Sequence, residues 1–310
     1  MITELICPDG GYISKDACLT QGGCRMGTRC LTLPTLHLAT QERPWNGVAS
    51  TTQLLNGTMH EFLRLSYDYA VDPDKRMFML EGTNHHDGLE KMAKVLNLPS
   101  EIPLSIDRDV FDLLEPDEDQ PGWVLSDYKL WGSYKVAKAI GVVEDGKKPN
   151  PNGELYKSSG KWGKAGTPKM LKNFRLDPSA SDCWEAVLQL NRYRVMLKEL
   201  GIGPINRMQV QSTVRDGGSY LAKGRGVERN TAMIPIEFMP DSMVAAYFET
   251  KQANLAQALS QGSWTEICTS QENWDGRRCV GYCDVAHYCP RNTSGLQDNL
   301  TQEQIEEMFV

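Results

Sequence analysis

Asp127 and Lys129 stand two residues apart at the end of the apolar run Val124-Leu125-Ser126, after the turn-like Gln120-Pro121-Gly122. On a strand, alternate side chains share one face, so a carboxylate and an amine are presented together. Such a pair suits phosphodiester cleavage. The carboxylate can hold a hard cation through oxygen, and the amine can orient the attacking water or stabilise the phosphate. Three further groups extend the set in chain order: His86, then Asp107, then Gln189 with Tyr193. Asp107 and Asp127 on neighbouring strands would hold Mg2+ or Mn2+, and the four-residue spacing of Gln189 and Tyr193 puts both on one helix face. His86 and Glu90 share that spacing. Singly, each has a plain structural reading: an exposed strand pair, a hydrogen-bonded histidine, an amphipathic-helix glutamine and tyrosine. The ordered combination points to a metal-dependent nuclease site.

The elements that must position these residues are partly legible. Ser50-Thr51-Thr52 caps a helix through Leu54, Leu55, Met59, Phe62 and Leu63, with Asn56-Gly57 as its weak point. Glu81-Gly82-Thr83 leads into a second helix with Leu89, Met92, Ala93 and Val95 as its buried side. Leu104 to Asp107 and Trp123 to Lys129 read as two strands joined by an acidic, proline-containing connection. A helix from Trp184 to Leu200 should end at Gly201. Met208 to Val214 and Ile234 to Phe238 are strand candidates, and Ser242 to Leu259 is helical. No solenoid-type repeat is present.

In this order the residues resemble the RecB-like branch of the PD-(D/E)xK nucleases. Gly82-Thr83-Asn84-His85-His86 is similar to that family's Gly-Thr-x-x-His helix, with His86 in the metal-ligand place. Ile106-Asp107-Arg108 resembles its second acidic motif, Asp127-Tyr128-Lys129 its Asp-x-Lys, and Gln189-Leu190-Asn191-Arg192-Tyr193 its Gln-x-x-x-Tyr helix. The resemblance covers roughly His86 to Leu200. It implies an α/β chain with a restriction-endonuclease-like mixed β-sheet core flanked by helices, in which Gln189 and Tyr193 sit over the active site. Relatives serve recombination and repair, CRISPR spacer acquisition and bacteriophage genomes.

Eight of the nine cysteines form two terminal groups: Cys7, Cys18, Cys24 and Cys30, then Cys268, Cys279, Cys283 and Cys289. An odd total argues against a complete disulfide framework, and grouped thiols in a reducing compartment favour metal. Cys279-x3-Cys283-x5-Cys289 is close to the three-cysteine tail that, in the resembled family, holds a 4Fe-4S cluster together with a distant N-terminal cysteine. The family has x2 where this chain has x3. Cys268 offers a local fourth ligand, and Cys24 or Cys30 a distant one. Thiolates suit both iron-sulfur clusters and Zn2+. If each terminus closes its own site, the N-terminal quartet reads as tetrahedral Zn2+. Cys183 reads as a packed thiol on an apolar helix face.

The chain has 310 residues and a net charge of -7, which excludes a uniformly basic nucleic-acid binder. Lys129 to Arg175 nevertheless carries eleven Lys or Arg against three acids. Residues 141 to 180 are rich in Gly, Pro, Lys and Ser, with Asn150-Pro151-Asn152-Gly153 as a turn, and read as an exposed insertion. Lys135, Lys138, Lys157, Lys161 and Lys164, interleaved with Trp131, Tyr134, Tyr156 and Trp162, suit single-stranded nucleic acid through cations for phosphates and rings for bases. No apolar run is long enough to span a membrane, and no signal peptide is apparent. The expectation is an intracellular protein, cytoplasmic in its own cell or in a host cell if phage-encoded. Three parts are expected: a cysteine-rich element at 1–45, a nuclease core at 46–265 with the basic insertion at 131–180, and a cysteine-rich element at 266–310. The expected function is exonucleolytic cleavage of single-stranded DNA or DNA ends. A noncatalytic nucleic-acid-binding or scaffold protein is the competing class, an RNA nuclease the third.

Overall fold

Ser50 opens the helical part of the chain with both halves of a capping box: its hydroxyl accepts from Gln53 N–H, and the Gln53 side chain accepts from Ser50 N–H. The helix so begun, α3 (Thr51–Leu55), stops at Asn56, and Gly57 starts the next, α4 (Thr58–Ser66). The expected single helix is therefore two, broken at Asn56-Gly57. The computed structural model describes residues 1–105, 108–161 and 163–291. Ahead of α3 lie β1 (Ile2–Ile6), β2 (Tyr12–Ser14), α1 (Lys15–Leu19) and α2 (Leu33–Ala39), and after α4 comes β3 (Tyr69–Val71). β1 is the centre of a three-stranded sheet, antiparallel to β2 and parallel to β3.

The central sheet follows α5 (Met77–Val95). It comprises β4 (Ser100–Pro103), β5 (Val110–Pro116), β6 (Trp123–Trp131), β9 (Ile205–Val214) and β10 (Thr231–Ile236), in the order β10-β9-β6-β5-β4. β6 and β9 are parallel, and the other neighbours antiparallel. A parallel pair needs a long crossover. The chain supplies it through α6 (Ser133–Ala139), the hairpin β7 (Val142–Pro149) and β8 (Met170–Leu176), and α7 (Trp184–Glu199). The short α8 (Tyr220–Gly224) links β9 to β10; α9 (Asp241–Gln261) and α10 (Arg277–Gly281) end the described chain.

Two expectations are corrected. α5 begins at Met77 rather than near Thr83, and of its expected buried side only Ala93 is buried, while Met92 and Val95 are exposed. The strand paired with β6 runs over Val110–Pro116, not over Leu104 to Asp107. α7 ends as expected, with Gly201 at φ 75°.

The largest buried cluster joins Ile2 and Leu5 of β1 to Leu54, Met59 and Phe62 of α3 and α4, to Val244, Phe248 and Leu255 of α9, and to Val285. A second packs Phe111, Leu114, Leu125, Met208, Val210 and Ile234 of the central sheet against Leu190, Tyr193 and Leu197 of α7. Asn191 fixes α7 further: its Nδ2 donates to the Glu237 carbonyl and its Oδ1 accepts from Met239 N–H, both at 2.8 Å. No helix among the described residues is long and apolar enough to cross a membrane.

Candidate active site

β6 is interior to the sheet, and its alternation places Leu125, Asp127 and Lys129 on one face. Asp127 is buried. Lys129 Nζ donates to Asp127 Oδ1 at 3.0 Å and lies 2.7 Å from Oδ2, an oxygen that accepts no well-directed hydrogen bond. Burial works against the Lys129 charge, but Asp127 and then Asp112 outweigh it and hold the ammonium above its ordinary value. The residue is a cation at any physiological pH.

Asp112 is the group that the sequence reading missed. Leu113 of β5 pairs with Ser126 of β6, so the next step of the antiparallel ladder brings Asp112 opposite Asp127. Tyr128 N–H donates to Asp112 Oδ2 at 2.6 Å, which ties this carboxylate to the Asp-x-Lys strand. Burial, with the Asp127 charge next, pushes the Asp112 carboxyl up to about 7. Two carboxylates held together in a part-buried place strain to stay ionised together unless a cation joins them.

α5 lies across β4, β5 and β6 and delivers His86, as expected. His86 Nδ1 is 3.5 Å from Asp112 Oδ2 and 3.8 Å from Glu101 Oε1. Glu101, within β4, holds the left-handed conformation at φ 52°. A non-glycine residue there is uncommon and tends to mark a functional constraint. Glu101 first, and Asp112 after it, raise the His86 imidazole above its ordinary value. Among the described residues, His86, Glu101 and Asp112 form the group whose ligand atoms all lie within 4.8 Å of one another. One imidazole nitrogen and carboxylate oxygens suit Mn2+ or Mg2+, so the donor set fits the expected ion.

Gln189 and Tyr193 meet as expected, with Gln189 Nε2 donating to Tyr193 Oη at 3.2 Å. Burial raises the phenol, and Asp127, Asp109 and Asp112 act on it in the same direction, so the tyrosine lies in the field of the site's carboxylates. Glu90 is not part of the group; it pairs with Lys94 one helical turn on. Asp107 lies outside the described residues. His85 turns to Thr213, its Nε2 3.3 Å from Oγ1.

The basic insertion is the antiparallel hairpin of β7 and β8, with the Asn150–Gly153 turn closed by Gly153 N–H on the Asn150 carbonyl at 3.0 Å. Several of its cations are paired: Lys169 with Glu154, Lys172 with Glu144 and Arg175 with Asp177. Lys135 lies over the Trp131 ring and binds Glu185 at 2.6 Å, and Lys138 binds Asp182 at 2.8 Å. Lys157, Lys161 and Lys164 are exposed, and Trp162 lies outside the described residues.

At the C-terminal end, Cys268, Cys283 and Cys289 pack against the largest apolar cluster. Burial raises the Cys268 and Cys283 thiols, with the backbone N–H of His60 and of Val285 and the Arg278 charge opposing it. Cys279 acts on Cys283, and Cys289 on Cys268 and Cys279, so the four thiols are neighbours, yet no three of their sulfurs, and no three of those of Cys7, Cys18, Cys24 and Cys30, lie within 4.8 Å of one another. Cys183 is the N-cap of α7 rather than a face residue, half-buried against the second cluster. No protein-family model, curated protein or solved structure matches the chain.

Proposed function

We propose that the chain is a metal-dependent deoxyribonuclease of PD-(D/E)xK type, acting exonucleolytically on single strands or ends. The observation that carries the reading is the convergence of His86, Glu101 and Asp112 on the Asp127–Lys129 pair. The order of elements supports it too: helix α5, three antiparallel strands β4, β5 and β6, helix α7, then β9 parallel to β6. It is a mixed sheet flanked by helices, the coarse architecture that the resemblance implies.

In this reading His86, Glu101, Asp112 and Asp127 hold the ion. Mg2+ or Mn2+ bound there supplies positive charge for the phosphate and acidifies water. Lys129, a buried-side cation held by Asp127, faces the scissile phosphate and stabilises the charge gathering on its oxygens. Tyr193, anchored by Gln189, closes one wall and keeps bulk water from the carboxylates. The exposed lysines of the hairpin arm would track the backbone of the strand being cut. The C-terminal quartet, Cys268, Cys279, Cys283 and Cys289, would carry the 4Fe-4S cluster, since backbone N–H groups directed at sulfur in an apolar surround suit such a group.

The test is cleavage of end-labelled single- and double-stranded DNA, and of RNA, with Mg2+ or Mn2+. Asp127→Ala, Lys129→Ala and Asp112→Asn should each lose at least about 100-fold in rate while keeping their folded spectrum. Activity surviving loss of Asp112 and Asp127 refutes the site, and binding without cleavage under either ion leaves a nucleic-acid-binding module.

A further inference from the structure

β6 carries the Asp127–Lys129 pair and ends two residues later at Trp131, on the same face and about 7 Å further along the strand. Cations set against aromatic rings surround that end, drawn from α6, α8 and the C-terminal element. Lys135 of α6 lies 4.8 Å from the Trp131 ring centre. Its neighbour Tyr134 meets two guanidinium groups. Arg225, the C-cap of α8, is 5.8 Å from the Tyr134 ring centre, and Arg277, the first residue of α10, is 4.5 Å from it. Arg277 Nη2 also donates to Tyr134 Oη. Trp274, in the turn before α10, donates from Nε1 to Glu185 Oε1 at 3.1 Å, and the other oxygen of Glu185 accepts from Lys135 at 2.6 Å. These contacts fasten the C-terminal element beside the end of the Asp-x-Lys strand.

We propose that Tyr134 and Trp274, with Lys135 and Arg277, form a seat for single-stranded DNA beside the cleavage site, in which bases stack on the two rings and phosphates meet the two cations. It rests on the nuclease reading for the strand that fills the seat, and it gives the C-terminal element a share in binding that the hairpin arm alone does not supply. Charge is the first support. Lys135 is paired with Glu185 and Arg225 lies 3.9 Å from Asp216, whereas Arg277 has no carboxylate partner among the described residues. A guanidinium held against a ring keeps further N–H donors in a planar fork, the shape that matches a phosphate. The rings are the second. Tyr134 is 36% exposed and Trp274 38%, so both reach solvent beside that unpaired charge. Contacts that only fixed α10 to α6 would bury the rings rather than leave them open. The backbone is the third. Trp274 and Asp275 both hold the left-handed conformation, at φ 55° and 57°, and the turn is tied down by Asp275 N–H on the Ser270 carbonyl at 2.8 Å and Gly276 N–H on Asn273 Oδ1 at 2.6 Å. Successive non-glycine residues in that region are uncommon and persist where the surroundings over-determine them, as at ligand clamps. An acidic peptide would satisfy Arg277 but has no use for the rings, while a strand of unpaired bases uses both.

Fluorescence anisotropy of labelled oligo(dT) on the full-length protein, with Ca2+ in place of the cleaving ion, tests the seat apart from catalysis. Arg277→Gln and Trp274→Leu should each weaken binding at least about fivefold. Arg207→Gln, at the opposite end of β9, should bind as wild type. A phosphodiester chain of the same length without bases separates stacking from a merely structural role: on it Trp274→Leu should match wild type, and Arg277→Gln should stay weaker. Wild type should itself bind that chain at least about fivefold more weakly than oligo(dT), which keeps stacking testable if Trp274→Leu is insoluble. Wild type that ignores oligo(dT), an Arg277→Gln protein that binds it normally, or a Trp274→Leu loss equal on both chains overturns the proposal. Cleavage with Mg2+ or Mn2+ by a protein whose two variants bind normally rejects the seat and leaves the nuclease reading; variants that lose binding in a protein that cleaves nothing leave the seat and reject the nuclease reading.

Discussion

His60 and Glu61, consecutive in α4, are among the most deeply buried polar side chains, 6% and 2% exposed. Arg278 Nη2 lies 3.3 Å from His60 Nε2 and 3.5 Å from Nδ1, whereas the Glu61 carboxylate, which can only accept, faces Nδ1 alone. The proton is therefore on Nδ1, 3.1 Å from Glu61 Oε1, to which it donates. Burial holds His60 below its ordinary value. For Glu61, burial would raise the carboxyl, but His60, Arg64 and Asn56 outweigh it and hold it low. Both folded values lie below the unfolded ones, so the unfolded chain takes up protons first as pH falls. The stability they contribute is complete above about 6.5 and is lost on acidification, through His60 first and Glu61 after it, at about 1.4 kcal/mol per unit of depression. Asp112 and His86, both raised in the folded chain, act in the opposite sense over the same interval, so the His60 contribution is the difference in urea midpoint between wild type and His60→Gln from about pH 7 to 5. His60→Gln, whose amide can donate to Glu61 and accept from Arg278, should lose less midpoint than wild type, or gain more, as pH falls through that interval; a profile parallel to wild type rejects the assignment. At this scale the sequence was readable where spacing speaks. Asp127 and Lys129 follow strand alternation, and Gln189 and Tyr193 follow the helical turn. Asp112 was hidden inside Val110-Phe111-Asp112-Leu113-Leu114, where apolar neighbours look like plain core, and Glu101 because a left-handed residue in a short strand has no periodic signature.

Among the elements, the junction of α3 and α4 joins two ends of the chain. A Cβ on Gly57 would lie 2.3 Å from Cys268 Sγ, so the helix start and the thiol occupy adjoining space. Gly57→Ala should push Cys268 off the His60 amide, destabilise the fold by about 1–3 kcal/mol, and lower the metal content of the C-terminal quartet. Denaturation midpoint and metal analysis check this; wild-type values in both would show that the thiol moves freely. The same junction was half legible: the Ser50 cap and the Asn56-Gly57 break are visible in the residue types, whereas the length of α5 was not. Gly82 and Gly88 look like breakers, yet both sit within α5 with open space around their Cα atoms, so they cost the helix only propensity. The apolar residues Met92 and Val95 suggested a buried side that tertiary packing does not use.

Over the whole molecule, charge is divided between an acidic body and a basic arm. The arm is less basic in effect than in composition, because Glu154, Glu144 and Asp177 each engage one of its cations. Lys157 and Lys164 are exposed and make no ion pair among the described residues, so they are the groups through which the arm would meet phosphate. Replacing both with alanine should weaken binding to single-stranded DNA and reduce the slope of log affinity against log salt by about 1.4. Fluorescence anisotropy across a salt series measures it, and an unchanged slope rejects the arm as a strand guide. The division into core and cysteine-rich ends came from composition alone, and packing follows other lines: Ile2 near one end and Val285 near the other share a single apolar cluster with α4 and α9. That sharing sets a condition on synthesis. A chain still emerging from the ribosome displays the apolar faces of β1, α4 and α9 until residues near Val285 have cleared the exit tunnel. The cluster is therefore completed only after nearly every other described residue has been made, which leaves a window in which a chaperone or an aggregation partner meets this face first.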